Sequence, residues 1–431
     1  MKKTFLKIIT LFICIQGILM GASIKHINIK GIEVPVIFEQ DKNLPILNLQ
    51  LVFKNSGYMN DGELSGLASV SSKLLNEGTK KLGSTKFAEK LENNAISIDS
   101  NTGFETFVIE VSSIKDVHKK ALKYLKELLK DPNYDEKALG KIKTIKLGSL
   151  KRKENDFDDV ASKNLKKLLF KGTALENPSS GTVDSISNIK LENVEKFLEN
   201  ALDLNNLILV VGGDFEYDEI IPQIEKVVEV LNSKNINTLK KLSVKTKKKT
   251  NTVLKETQQA YIYFGSPFTV DVKDKDVYMA KVASFILGGS GFGSRLMEEI
   301  RVKRGLAYSA YGHISVNKSH SYFTGYLQTK LESADEAKNL VASLVNEFVK
   351  NGVTQDELES AKKFILGSEP LRTETLSQRL NRAFTLFYRG LEQDYAKKDL
   401  ERIENLKLED LNNYIKSHKE IKNLSFSIVR K

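Results

Sequence analysis

Arg301 and Tyr308 are the two side chains in this sequence best suited to act together on a carbonyl. They lie in the stretch GGSGFGSRLMEEIRVKRGLAYSAY, residues 288–311. A guanidinium offers a rigid fork of N–H donors and a phenol offers one O–H. Aimed at one oxygen, they would stabilise the negative charge that builds there as a peptide bond is attacked. The surrounding residues supply the elements that would aim them. Ser294 is placed to cap a helix whose start is favoured by Glu298 and Glu299. Glu299 and Lys303 stand at i,i+4 on one face, and Gly305 supplies the stop. Leu306 to Tyr311 then reads as a strand. Arg301 thus falls near the end of a helix and Tyr308 early in the next strand, and the turn between them can point both at one spot. The competing reading is purely architectural, with the arginine solvated and the tyrosine hydroxyl at the rim of a core. Gly289, Gly291 and Gly293 just before the helix suit either a surface that a bound peptide approaches closely or a flexible connection.

Other chemistries are poorly supplied. The five histidines, His26, His118, His313, His320 and His418, show no ligand spacing, and surface roles suit them better than a metal site. The acidic run Asp271 to Asp276 has an aspartate where a calcium loop needs its glycine, and it lacks the closing glutamate. The glycine loop at 288–293 follows a helix, and no Gly-Lys-Ser/Thr comes after it, so it is not a phosphate cradle. The net charge of +11 is spread over 66 basic and 55 acidic residues, without the arginine-rich, aromatic-interleaved clusters of nucleic-acid readers. Residues 1–22 read as a signal peptide. Lys2, Lys3 and Lys7 precede an apolar run from Ile8 to Leu19, and Met20-Gly21-Ala22 offers a cleavage site. The run is short for a membrane span, so none is expected after cleavage. The sole cysteine, Cys14, lies within it, so the mature chain has no thiol chemistry and no disulfides. The expected compartment is the periplasm, or the medium if the protein is secreted.

The mature chain repeats itself. Strands at Val34–Phe38 and Leu47–Phe53 precede helices at 67–76 and 84–93, a strand pair at 95–112, and a long amphipathic helix at 116–130. Pro35 suggests that its strand starts late or lies at an edge. About 220 residues later a similar order returns: strand, helix, strand pair, long amphipathic helix, and an acidic helix start. A lysine-rich stretch with few apolar residues separates the halves and reads as a solvated connector. These patterns predict an α+β fold of two homologous domains, each an antiparallel sheet with helices packed on it: 23–235, a linker at 236–252, and 253–431.

SRLMEEIRVKRGLAYSAY at 294–311 resembles the second-half signature of the pitrilysin/insulinase-like zinc peptidases, in the branch of mitochondrial-processing-peptidase-like subunits and their bacterial relatives. GLASVSSKLLNEGT at 66–79, NIKLENVEKFL after Gly181-Thr182, and NNLILVVGGDF at 205–215 agree with it in order and spacing. The resemblance implies two halves closing like a clamshell on a peptide, with Arg301 and Tyr308 holding and polarising the scissile region. It also exposes a departure. Active members carry His-x-x-Glu-His in the first-half helix, and here that stretch is Ser69-Val70-Ser71-Ser72-Lys73. The third ligand, a glutamate about 75 residues on by the resemblance, would fall in Leu147-Gly148-Ser149-Leu150, which has no carboxylate. A catalytic zinc needs three such ligands and a water. The resemblance therefore implies a chain with no metal of its own. It would serve as the inactive subunit beside a homologous zinc-bearing partner, lending Arg301 and Tyr308 to a composite site for peptide hydrolysis. The alternative is a pseudo-peptidase that binds peptides or scaffolds a complex with no role in chemistry.

Overall fold

The computed structural model describes residues 21–431; most of the signal peptide read from the sequence lies outside them. The first half builds one sheet from β1 (Ser23–Ile29), β2 (Ile32–Gln40), β3 (Ile46–Lys54), β4 (Ile96–Thr102), β5 (Thr106–Ile114) and β6 (Leu207–Gly213), in the order β1-β2-β6-β3-β5-β4. The second half builds another from β7 (Thr250–Leu254), β8 (Gln259–Pro267), β9 (Ala307–Val316), β10 (Ser321–Lys330) and β11 (Ser425–Arg430), in the order β7-β11-β8-β10-β9. With β1 left out, the two orders correspond strand for strand. In each, the last strand of the half enters beside the first, parallel to it, and antiparallel to the next. The duplication is thus visible in topology. The sheets are mixed rather than purely antiparallel, because the last strand returns only after a long helical excursion and is free to insert in either direction.

β3 shows why such a strand folds here. Leu47, Leu49, Leu51 and Phe53 alternate into the core formed with that half's own helices. Val52 points to the opposite face, which also holds Ile37, Ile208 and Val210. That second face is covered by a helix from the other half, Leu376–Arg389, through Leu376, Leu380 and Ala383. The exchange is reciprocal, since the first-half helix Phe157–Leu169 lies on β8 and β11. A glycine on each sheet makes room: a Cβ on Gly212 would meet Leu380 Cδ1 at 2.6 Å, and one on Gly265 would meet Leu169 Cδ1 at 2.8 Å. Polar anchors fix each visitor. Arg379 pairs with the buried Glu39 and, at 3.0 Å, with Asp41. Asp158 accepts from the Tyr263 hydroxyl at 3.2 Å and from Gln328 Nε2 at 2.7 Å.

The halves also meet where the β4–β5 and β9–β10 turns touch. Glu105 accepts from Ser319 N–H at 2.8 Å and from the Tyr388 hydroxyl at 2.9 Å. The His320 ring sits edge-on to Phe104 and Phe170 at 5.6 and 5.4 Å.

Two further expectations change. Pro35 is not on an edge strand, because β1, whose polar residues hide its pattern, lies outside β2 with His26 opposite Pro35. Pairing of β2 with β6 begins only at Val36, so the missing N–H of Pro35 costs no rung there. The lysine-rich connector is extended but docked. Leu242 N–H donates to Ser319 O and Lys245 N–H to Leu169 O, both at 2.8 Å, while Leu242 and Val244 pack against Leu165, Leu169 and Phe170. Its last residues, from Thr250, belong to β7.

Candidate functional site: an arginine between two exposed rings

The segment after the glycine loop starts as its sequence suggests. The Ser294 Oγ accepts from Met297 N–H at 3.4 Å and donates to Gly291 O at 2.8 Å. One α-turn, Arg295–Met297, then widens into a π-turn over Glu298–Val302, with Lys303 N–H reaching Glu298 O at 2.9 Å. Gly305, at φ 62°, closes the segment by donating to Arg301 O at 3.0 Å. Lys303 and Arg304 both bind Glu299, at 2.6 and 2.5 Å, and these bonds hold its carboxyl below the usual range. Arg301 is treated differently. Among the described residues no carboxylate or hydrogen-bond acceptor meets its guanidinium. Its carbon lies 4.5 Å from the centre of the Tyr308 ring and 4.6 Å from that of Phe292.

The structure therefore brings Arg301 and Tyr308 together and adds a third member that spacing alone did not single out. Phe292 is 68% exposed and Tyr308 81% exposed, which is unusual for side chains of this size. Two rings within cation–π distance orient the guanidinium without using its N–H groups, so the donor fork and the phenol hydroxyl remain free. The glycines serve this geometry. Gly291 and Gly293 have φ of 65° and 97°, so the backbone on either side of Phe292 takes the left-handed conformation, while a Cβ on Gly289 would come 3.0 Å from Ser284 O. The G-F-G pattern was the available signal for Phe292.

The platform continues across the sheet. Tyr311, on the edge strand β9, stands opposite Tyr326 of β10, and Tyr326 stands opposite Tyr263 of β8. Their rings follow one another at 5.6 and 5.4 Å. A Cβ on Gly291 would lie 3.7 Å from the Tyr311 ring, so the glycine loop abuts this row. The far end is tied by Tyr263 to Asp158 of the exchanged helix, and burial with that carboxylate raises the phenol's pKa. The row thus joins both halves to the Arg301 site.

The position of the inverted zinc motif lies on the helix Leu67–Leu75. Ser72 Oγ donates to Ser100 O at 2.8 Å, and Asn76 Oδ1 accepts Ser100 N–H at 2.7 Å, so both side chains occupy backbone groups of the edge strand β4. Ser69 Oγ accepts from Lys146 Nζ at 2.7 Å, across from the helix Glu136–Lys153. An ammonium and two hydroxyls cannot take the place of His, His and Glu, and Lys73 adds a second positive charge. The residues do not fit zinc. Among the described residues no three of His, Cys, Asp and Glu gather as ligands anywhere.

Two homologous α+β halves without the metal set define an insulinase-type fold of the zinc-less kind. A family profile described as "Insulinase (Peptidase family M16)" matches residues 36–183, and one described as "Peptidase M16 inactive domain" matches 188–365. A Helicobacter pylori protein named "Non-peptidase homolog YmxG" is 40% identical over 98% of both chains. A Bacillus subtilis protein named "Uncharacterized zinc protease YmxG" is 24% identical over 74% of this chain and 77% of its own. A crystal structure described as a peptidase M16 inactive domain from Pseudomonas fluorescens superposes with a TM-score of 0.86 at 23% identity, covering 95% of this chain and 98% of that one. The chain belongs to the M16 peptidase family.

Proposed function

We propose that this chain is the zinc-less subunit of a heteromeric metallopeptidase and lends Arg301 and Tyr308 to a composite site for peptide hydrolysis. The observation that carries this reading is the Arg301 guanidinium, held between two exposed rings with its donors unspent, on a chain whose metal position holds a lysine. A homologous partner would supply the zinc that activates water. This chain binds and orients the peptide, and its donors meet the carbonyl oxygen as that oxygen gains charge. The charged, apolar, small order of residues 1–22 supports export to the periplasm.

The test is peptide cleavage by the reconstituted pair, normalised to folded heterodimer. Tyr308→Phe keeps the ring and removes the hydroxyl. It is expected to lower turnover by ~100-fold, the loss of about 3 kcal/mol typical of one such donor, with heterodimer formation and thermal stability unchanged. Arg301→Ala is expected to do the same and also to weaken peptide binding. Wild-type turnover in both variants would overturn the composite site in favour of a second reading, a peptide-binding or scaffolding pseudo-peptidase. The name of the Helicobacter relative and the occupied edge groups of Ser100 favour that second reading.

A further inference from the structure

We propose that Ser69, Lys73 and Lys146 form a receptor for a carboxylate of the bound peptide, on the helix face where active relatives carry their zinc motif. The proposal rests on the reading of this chain as a peptide binder. Ser69 and Lys73 stand at i,i+4 and so share one side of the helix Leu67–Leu75. Lys146 reaches that side from the neighbouring helix to donate to Ser69 Oγ at 2.7 Å. A hydroxyl that accepts from an ammonium keeps its own hydrogen to donate, and Ser69 has no other partner among the described residues. The cluster therefore presents two ammonium groups and one O–H.

What it lacks is a counterion. Among the described residues no carboxylate comes within 4.0 Å of Lys73 or Lys146, whereas Lys115 and Lys163 meet Asp214 and Asp159 at 2.8 and 2.5 Å. The nearby acid, Asp61, is engaged elsewhere. Its two oxygens accept from Gly66 and Ala68 N–H at 2.7 and 2.8 Å, so it makes no ion pair with Lys146 and only raises that lysine's pKa from a distance. Lys146 is partly buried, and burial first, then Lys73, lower its pKa. Lys73 is exposed at the rim and adds like charge to the half-buried Lys146 ammonium, and an anion held beside Lys146 offsets that repulsion and part of the cost of its burial. A carboxylate matches the site in size and number of acceptors. It can come from a peptide C-terminus or from an Asp or Glu side chain.

Fluorescence anisotropy on the mature chain tests the proposal with one fluorescein-labelled twelve-residue peptide in four forms: free or amidated at the C-terminus, and with a central Glu or Gln. The form carrying the recognised carboxylate is expected to bind about ten-fold tighter than its neutral twin, and the pair that differs identifies the source. Lys73→Met and Lys146→Met should each erase that difference, and Lys146→Arg should keep most of it. Arg301→Ala weakens charged and neutral forms alike, which separates a failure of the Arg301 site from a failure of this one. A peptide-free readout covers the case in which no form binds: with lysine 13Cε labelling, the Lys146 resonance, assigned through Lys146→Arg, should shift on titration with acetate. Equal binding of charged and neutral peptides in the wild type, or an unmoved Lys146 resonance, would overturn the proposal.

Discussion

At the scale of single residues, the chain treats neighbouring cations in opposite ways. Lys303 and Arg304 share the carboxylate of Glu299, while Arg301, on the same turn, meets only rings. Exposed cation–π contacts are worth about 0.5–1 kcal/mol each, enough to orient a side chain but not to support a fold. Phe292 therefore acts on Arg301 rather than on stability. Phe292→Ala is expected to weaken peptide affinity by ~2–5-fold while the melting temperature stays within about 1 °C, and Phe292→Tyr should retain affinity. Anisotropy and thermal melts on the same samples check both. A large fall in melting temperature would mean that the ring is structural after all.

At the scale of elements, the seam between the β4–β5 and β9–β10 turns is a pH-sensitive contact between the halves. Burial first, and Lys166 in addition, lower His320 from 6.5 to about 4, against the pull of Glu105. The folded state thus favours the neutral ring. Its contribution is fully present above pH 6.5 and is lost as the pH falls toward about 4, because the unfolded chain takes the proton first. His320→Gln removes this titration. Comparing denaturant midpoints at pH 7.5 and pH 5, the wild type is expected to lose on the order of 2 kcal/mol more than the variant. Identical losses would show that the ring is already solvated in the native state.

At the scale of the whole molecule, the exchanged helices make each half incomplete without the other. Residues 21–235 alone would expose Ile37, Val52, Ile208 and Val210, and their own helix Phe157–Leu169 would have nothing to cover. Exposed apolar faces of this kind drive association or misfolding. Fragments 21–235 and 236–431 are expected to aggregate when produced separately and to form a 1:1 complex when co-expressed, as read by size-exclusion chromatography. Monomeric fragments with cooperative melts would show that the exchange is dispensable. The same arrangement links the Arg301 platform to the first half, through the tyrosine row and Asp158.

What the sequence determined by itself was everything written in local spacing. The repeated order of strands and helices, the Ser294 cap, the Gly305 stop and the meeting of Arg301 with Tyr308 across a short turn all depend on residues within about ten positions of one another. The loss of the zinc ligands was also legible, since it is a matter of which residues stand at 69, 72 and 73. Tertiary structure decided the rest. Lys146 meets Ser69 across 77 residues and Arg379 meets Glu39 across 340, and neither partner carries a local mark of the other. The strand at Ser23–Ile29 was hidden because its residues alternate weakly, and only the pairing with β2 reveals it. The tyrosine row is spread over three strands and exists only in their register. Periodicity reports which face of an element is apolar; it carries no information about whose surface will cover that face, and here each half covers the other's.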